Sequence, residues 1–257
     1  MSSSKPQTAT FTPGGFRYIP AVFQYSGGVA AEPGMAIERV TFAKPIPLVH
    51  GFRAAEKVIK AAGRPLTAFC ACELRSPAQF TSEGFRAFNR HYVGTLEAWG
   101  IFKNDVNPVA RSNVCPEIGA QSAGGVAEPC FHAFSFTVKE ARAPSFIVAG
   151  SGEVPEGTGI YGDNIVARGD VSSAGLRRKA QAVLTEMERR LGLLGFSWAD
   201  TTAVQTYSMH DIHPFLADEI VRRGAARNGL TWHYCRPPVV DLEYEMDCRG
   251  VGVERGV

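Results

Sequence analysis

Arg111 stands mid-way along an apolar, alternating run, with Val109 before it and Val114 after it. A guanidinium in such surroundings needs a partner, because an unpaired charge taken out of water is costly. The partner is either a ligand carboxylate, gripped by hydrogen bonds of about 1.5–3 kcal/mol each, or an internal acid such as Glu117. Glu243 and Glu245 alternate with Leu242, Tyr244 and Met246, so both carboxylates face one side of a strand. In a partly dry cleft such a group takes up and releases protons near neutral pH, contributing about 10²–10⁴-fold to a rate. On an exposed edge it is only a solvated face. Of the two, Glu243 is the acid–base candidate and Glu245 the structural one. His132, beside a closing strand, is the best acid–base candidate among the histidines.

Other groups invite chemistry less strongly. His132, His210, His213 and His233 are scattered over three elements without ligand spacing, so no metal is expected. Cys70 and Cys72 share a strand face, and a buried structural role is expected for them and for Cys115, Cys130, Cys235 and Cys248. Trp232, Tyr234 and Arg236 either line a cleft for a flat conjugated ligand or belong to the core. Arg177-Arg178-Lys179 and Arg189-Arg190 read as the solvated face of a helix. No Gly-rich phosphate loop, Ser-His-Asp order or haem pattern is present, and no cofactor is expected.

Bulk composition narrows the class. The chain has 257 residues, 45% hydrophobic and 20% charged, enough for two cores. A formal net charge of +2 argues against a dedicated nucleic-acid or anionic-membrane partner. No apolar run reaches the ~18 residues of a membrane span. The opening Met-Ser-Ser-Ser-Lys-Pro-Gln lacks a signal-peptide core, so a cytoplasmic location with reduced thiols is expected.

The elements that position these groups occur twice in one order: strand, strand, helix, strand, helix, strand, strand. Thr67, Ala68 and Phe80 recur as Thr202, Ala203 and Phe215, each 135 residues on. A Ser-Gly pair opens each block, Ser26-Gly27 and Ser151-Gly152. The predicted organisation is a loose tail over 1–14, a first domain over 15–138 and a second over 144–257. In the first, strands are expected around Ala21 to Tyr25 and Ile37 to Ala43, a helix from Leu48 to Ala62 and a strand from Leu66 to Leu74. Helix Ser82–Trp99 and strands Val109–Cys115 and Cys130–Val138 follow, with the Gly-rich loop Gly119 to Ala127 a candidate lid. The second is expected to hold strand Phe146–Val154, a short strand ending near Asp170, a helix from Ser172 or Ser173 to Leu194 and strand Thr201–Met209. Helix Pro214–Arg223 and strands Leu230–Cys235 and Leu242–Cys248 complete it. The fold class is α+β, each domain a mostly antiparallel sheet with two helices on one face.

The residues also resemble a known family. Phe85–Phe88-Asn89-x-x-Tyr92, then Asn107-Pro108-Val109-Ala110-Arg111-Ser112, resembles the Asn-x-x-Tyr helix and Pro-Ala-Arg-Ser strand of the RidA (YjgF) family. Phe146 to Gly152 resembles its Ser-Gly strand, and Leu242-Glu243-Tyr244-Glu245 its Glu-x-Glu closing strand. The resemblance implies two tandem chorismate-mutase-like domains, a homo-oligomer with a trimeric ring, and sites in clefts between neighbouring domains. It implies hydrolytic deamination of a small enamine or imine carboxylic acid, an aminomuconate-type intermediate of aromatic breakdown being the best guess. Arg111 would match the carboxylate-binding arginine, Glu243 the glutamate linked to the catalytic water, and Ser151-Gly152 or Ser26-Gly27 the opposite wall. Neither copy carries a complete set: near Gly229 there is no second arginine, and near Phe131 or His132 no second carboxylate. Either the copies divide one site between them or one site is rebuilt with His132. The alternative from another class is a non-catalytic protein that senses a small carboxylate. An RNA-cleaving activity, attributed to some relatives, is disfavoured by the near-neutral charge.

Overall fold

Three short strands begin the chain, β1 (Ala9–Phe11), β2 (Phe16–Tyr18) and β3 (Gly28–Ala31), ahead of a long β4 (Met35–Pro47). Helix α1 (Leu48–Ala61), β5 (Phe69–Arg75), α2 (Ser82–Ala98), β6 (Ala110–Pro116) and β7 (Cys130–Lys139) follow. The second half supplies β8 (Phe146–Gly152), α3 (Ser173–Leu194), β9 (Ala203–Tyr207), a single turn α4 (His213–Phe215), β10 (Thr231–His233), β11 (Cys235–Arg236), β12 (Glu245–Gly250) and β13 (Val253–Gly256). The structure is a computed structural model that describes residues 8–116, 125–140, 144–155 and 161–257.

Local chemistry explains the helix limits. Thr81 caps α2 by accepting from the Gly84 N–H at 3.0 Å, and Ser172 caps α3 by accepting from Gly175 at 3.2 Å. Gly195, at φ +84°, ends α3 in the left-handed conformation that glycine adopts without strain. Helix α1 lies so close to β7 that a Cβ on Gly51 would meet the Phe131 ring at 2.3 Å. The expected helix Pro214–Arg223 is instead one α-turn running into a π-turn over Leu216–Val221. Phe215 and Ile220, five residues apart, are both buried, and the wider turn fits that spacing.

Two mixed, mostly antiparallel sheets result, so the chain is α+β. The six-stranded sheet runs β11-β6-β5-β7-β4-β13, and the seven-stranded sheet β1-β2-β3-β8-β12-β9-β10. Both contain one four-strand pattern, β4-β7-β5-β6 in the first and β8-β12-β9-β10 in the second. In each the first two contacts are antiparallel and the last is parallel. Apolar residues of α1 and α2 cover one face of the first sheet, with Phe69, Phe131 and Phe134 in the core. Helix α3 covers one face of the second, over Val148, Val204 and Met246. The opposite faces meet through Ile37, Ala71, Ala110, Ala149 and Val29.

The halves also exchange edge strands. Strand β3 pairs with β8, so β1–β3 extend the second-half sheet. Strand β13 returns to run parallel to β4, and β11 pairs with β6. This departs from the expected blocks, because pairing of distant edges leaves no periodic trace in a single sequence. Residues 9–11 of the expected tail form β1, paired to β2. The strand expected around Ala21 to Tyr25 is a loop closed by a Val22–Tyr25 bridge. The expected strand Leu230–Cys235 breaks at Tyr234, its two pieces joining different sheets. The short strand expected near Asp170 is replaced by a 3-10 turn at Tyr161–Asn164 and by coil, with Asp170 bonding to Ser172 ahead of α3. Residues 119–124 of the candidate lid, 141–143 of the linker and Glu117 lie outside the described residues. Among the described residues, no helix is long and apolar enough to cross a membrane.

Between the sheets lies an ionic cluster, buried at Arg39 and Asp247 and reaching the surface at Glu254. Glu73 takes two bonds from Arg39, at 2.6 and 3.0 Å, and Glu254 bonds both Arg39 and Arg249. Asp247 accepts from Gln205 at 2.8 Å and from the Tyr207 hydroxyl at 2.9 Å. Glu245 and Asp247 are buried rather than solvated, because the other sheet covers their face of β12. Glu243 precedes β12, which begins only at Glu245 of the expected strand Leu242–Cys248.

Candidate active site

The site grows from the start of β6. Asn107 donates to the Phe23 and Gln24 carbonyls at 3.2 and 3.0 Å and accepts from the Val109 N–H. Ser26 is tied to the same segment, its N–H to Val109 and its hydroxyl to Pro108 at 3.0 Å. Tyr25 is thereby laid against Arg111, whose Cζ lies 5.6 Å from the Tyr25 ring centre. Helix α2 brings three more rings, Tyr92 at 4.7 Å, Phe85 at 5.6 Å and Phe88 at 5.7 Å. These faces attract a guanidinium electrostatically but cannot accept its N–H bonds as a carboxylate would. Arg111 is 3% exposed, and neither terminal nitrogen has a hydrogen-bond partner.

The guanidinium borders a small hollow of about 30 Å³. Tyr25, Phe85, Arg111 and Asn113 line it from the first half, and Gly150, Gly152, Pro238, Leu242 and Glu245 from the second. Gln79 holds the second-half loop in place: its amide nitrogen lies 2.9–3.2 Å from the carbonyls of Pro237, Val239 and Leu242. At Gly150 any side chain would collide with Glu245, an added Cβ lying 2.1 Å from its Oε1. Glycine there lets the carboxyl lie against the strand.

Glu245 is the acidic side chain of this hollow. Burial first, then the neighbouring Asp247 and Glu153, hold its carboxyl well above the ordinary carboxylate range, against the opposing pull of Arg111 and Arg190. Burial therefore favours its protonated form, the form able to give a proton away. Its strand begins where Glu153 accepts from the Glu243 and Tyr244 N–H groups, at 2.7 and 3.1 Å. Lys179, fully buried, faces Glu153 at 3.2 Å and also bonds the Val166 carbonyl.

With this geometry in place, comparison with known proteins is decisive. Residues 8–255 match the family described as 2-aminomuconate deaminase CnbZ. The chain belongs to that family. The 2-amino-5-chloromuconate deaminase of Comamonas testosteroni is 52% identical over 248 residues, spanning 95% of this chain and 97% of its own length. Among solved structures, a chorismatase is similar at 14% identity and a TM-score of 0.46, over 88% of this chain and 77% of its own. The YjgF gene product of E. coli is similar at 16% identity and a TM-score of 0.30, over 42% of this chain and 80% of its own. This member of the CnbZ family is thus a deaminase, an enzyme acting on carbon–nitrogen bonds.

Its sequence-predicted site residues fall in different places. Arg111 and Gly152 line the hollow, whereas Ser26-Gly27 is not in its lining, Gly27 bonding Ile19 and Ala149 through the backbone. Ser151 is buried beside it, lining a neighbouring cavity of about 140 Å³ that also touches Gly152. Glu243 lies outside: its carboxylate bonds His210 Nε2 at 2.8 Å and Arg236 at 3.4 Å. His132 is also elsewhere, in the region of the inter-sheet cluster, where burial and then Arg75 lower its pKa to about 4. Trp232 and Tyr234 are 37% and 63% exposed and line no part of the hollow.

Sequence reasoning missed Glu245, Asn113, Gly150 and Gln79. Glu245 carries a usable signal, since it alternates with Tyr244 and Met246 in sequence and opens β12. The solvated-face reading of the basic clusters also needs correction. Lys179 and Arg190 are fully buried because Glu153 partners the first, and Glu186 with the Ala149 carbonyl partners the second.

Proposed function

We propose that this chain hydrolyses an aminomuconate-type enamine or imine dicarboxylic acid, releasing ammonia. The carrying observation is Arg111: a buried guanidinium whose terminal nitrogens have no internal acceptor, lining one hollow with a buried carboxyl whose pKa burial raises. The 52% identity to 2-amino-5-chloromuconate deaminase supports the substrate class. Arg111 grips the carboxylate next to the reacting carbon bidentately, which places the C=N bond beside Glu245. Glu245 gives its proton to the imine nitrogen. As a carboxylate it then takes a proton from the water whose oxygen adds to carbon. That proton passes to the amine of the resulting carbinolamine. As the carbon–nitrogen bond breaks, the carbinolamine hydroxyl returns its proton to the Glu245 carboxylate, ammonia leaves and a keto acid remains. The aromatic ring faces and Leu242 exclude bulk water and suit a flat conjugated chain.

The chain is read further as two tandem RidA-like units that together hold one site. The shared four-strand order of the two sheets and the divided lining of the hollow support this. A trimer is the proposed assembly, and light scattering on the purified protein tests it by mass. The function is tested by ammonia release from an aminomuconate generated in situ. Arg111→Lys should raise KM by about 10–100-fold, because a point charge does not reproduce the fork. Normal turnover by that variant would reject the clamp.

A further inference from the structure

A second buried donor borders the Arg111 hollow. Asn113 is 3% exposed; its Oδ1 accepts from the Ser76 hydroxyl at 3.0 Å, and its Nδ2 makes no hydrogen bond. Ser76 is itself fixed, since it is fully buried and its N–H donates to the Val114 carbonyl at 2.9 Å. The Ser76 contact thus engages one end of the amide and leaves the other, the donor, without an acceptor. A buried donor left unmade is unfavourable, and native interiors rarely keep one without a use.

Its position suggests the use. Arg111 and Asn113 are two residues apart on β6, so they share a face with Cα atoms about 6.5–7 Å apart. Both line the same hollow. Glu245 is the one acidic side chain in that lining, and burial raises its pKa, which disfavours the charged acceptor form. The lining thus presents two separate unpaired donors, one charged and one neutral, each suited to an acceptor oxygen.

We propose that Asn113 is a second substrate-binding residue, whose amide N–H donates to the remote carboxylate of a dicarboxylic ligand while Arg111 holds the near one. The proposal rests on the reading of Arg111 as a carboxylate clamp and adds the selection of two acidic ends over one. A monocarboxylate of the same length leaves the Asn113 donor unmet and binds more weakly.

The test compares two probes, trans,trans-muconate and sorbate, which share a conjugated six-carbon chain and differ in one terminal carboxylate. Calorimetric titration of the full chain should show muconate bound about tenfold more tightly than sorbate. Asn113→Ser should bring that ratio close to one. Asn113→Asp, nearly isosteric, should push it below one by repelling the second carboxylate. Melting curves confirm that each variant is folded, and the within-variant ratio is unaffected by a general loss of stability. Arg111→Lys should weaken both probes. If Arg111→Lys weakens both while the Asn113 variants keep the parent ratio, the Asn113 assignment is overturned and the clamp stands. If Arg111→Lys changes neither affinity, both assignments fall.

Discussion

Arg39 and Arg111 are buried arginines on strands of the same sheet, 5% and 3% exposed, and their surroundings are opposite. Arg39 is saturated: Glu73 takes two of its bonds, Thr41 a third at 2.7 Å and Glu254 another at 3.0 Å. Arg111 has four aromatic faces around it and no hydrogen bond from either terminal nitrogen. The acids differ in the same way. Burial alone would raise Glu73, but Arg39 overrides it and holds the carboxyl far below its ordinary range. Glu245 keeps the raised value that burial imposes. Burial of charge therefore does not mark a site by itself. A buried charge whose partner is missing does.

Substitutions sharpen that contrast. The largest effect is expected at Arg111. Arg111→Met should reduce kcat/KM by about 10²–10⁴-fold, the loss of two charged hydrogen bonds, as measured by ammonia release. The melting temperature should hold or rise, since an unpaired buried charge is replaced by apolar volume. Glu73→Gln should do the reverse. It strands Arg39 and should lower stability by about 3–5 kcal/mol in urea unfolding, with KM unchanged in the folded fraction.

The two acids should also give opposite pH dependence. Glu245 has a raised folded pKa, so its contribution to stability is full below the ordinary value of about 4.3 and declines as pH rises through the folded value. The stability of the parent relative to Glu245→Gln should fall as pH rises through that window, by up to about 1.4 kcal/mol per unit. Glu73 has a depressed folded pKa, so its contribution is present above about 4.3 and is lost only as pH falls toward the folded value. The parent's advantage over Glu73→Gln should shrink only in acid. Unfolding curves across pH check both signs. The smallest effect is chemical: all six cysteines are buried, with Cys72 pushed up to about 12 chiefly by burial. Thiol reagents should label them after unfolding and scarcely before.

Sequence pattern was a good guide where the structure is local. Helices α1, α2 and α3 follow from their apolar stripes, their stops and, for α3, a serine cap. Arg111 was legible as a guanidinium in want of a partner. The exchange of β3, β11 and β13 between the halves was not, because strand pairing across about a hundred residues or more leaves no short-range pattern. The choice between Glu243 and Glu245 was hidden for a related reason. The alternation in sequence puts both on one face, but the strand begins only at Glu245, after Glu153, held by Lys179, has gripped the backbone at Glu243 and Tyr244. Only Glu245 lines the hollow with Arg111. Lys179 looked solvated because its partner comes from another element.

Glu243 and Glu245 therefore offer the most direct test, as two carboxyls two residues apart with one hollow between the halves to serve. Ammonia release would be measured side by side for Glu243→Gln and Glu245→Gln with an aminomuconate generated in situ. The account predicts a fall in kcat of about 10²–10⁴-fold for Glu245→Gln with its melting temperature kept, and less than about tenfold for Glu243→Gln. The reverse order, with Glu245→Gln active and Glu243→Gln dead, would contradict it.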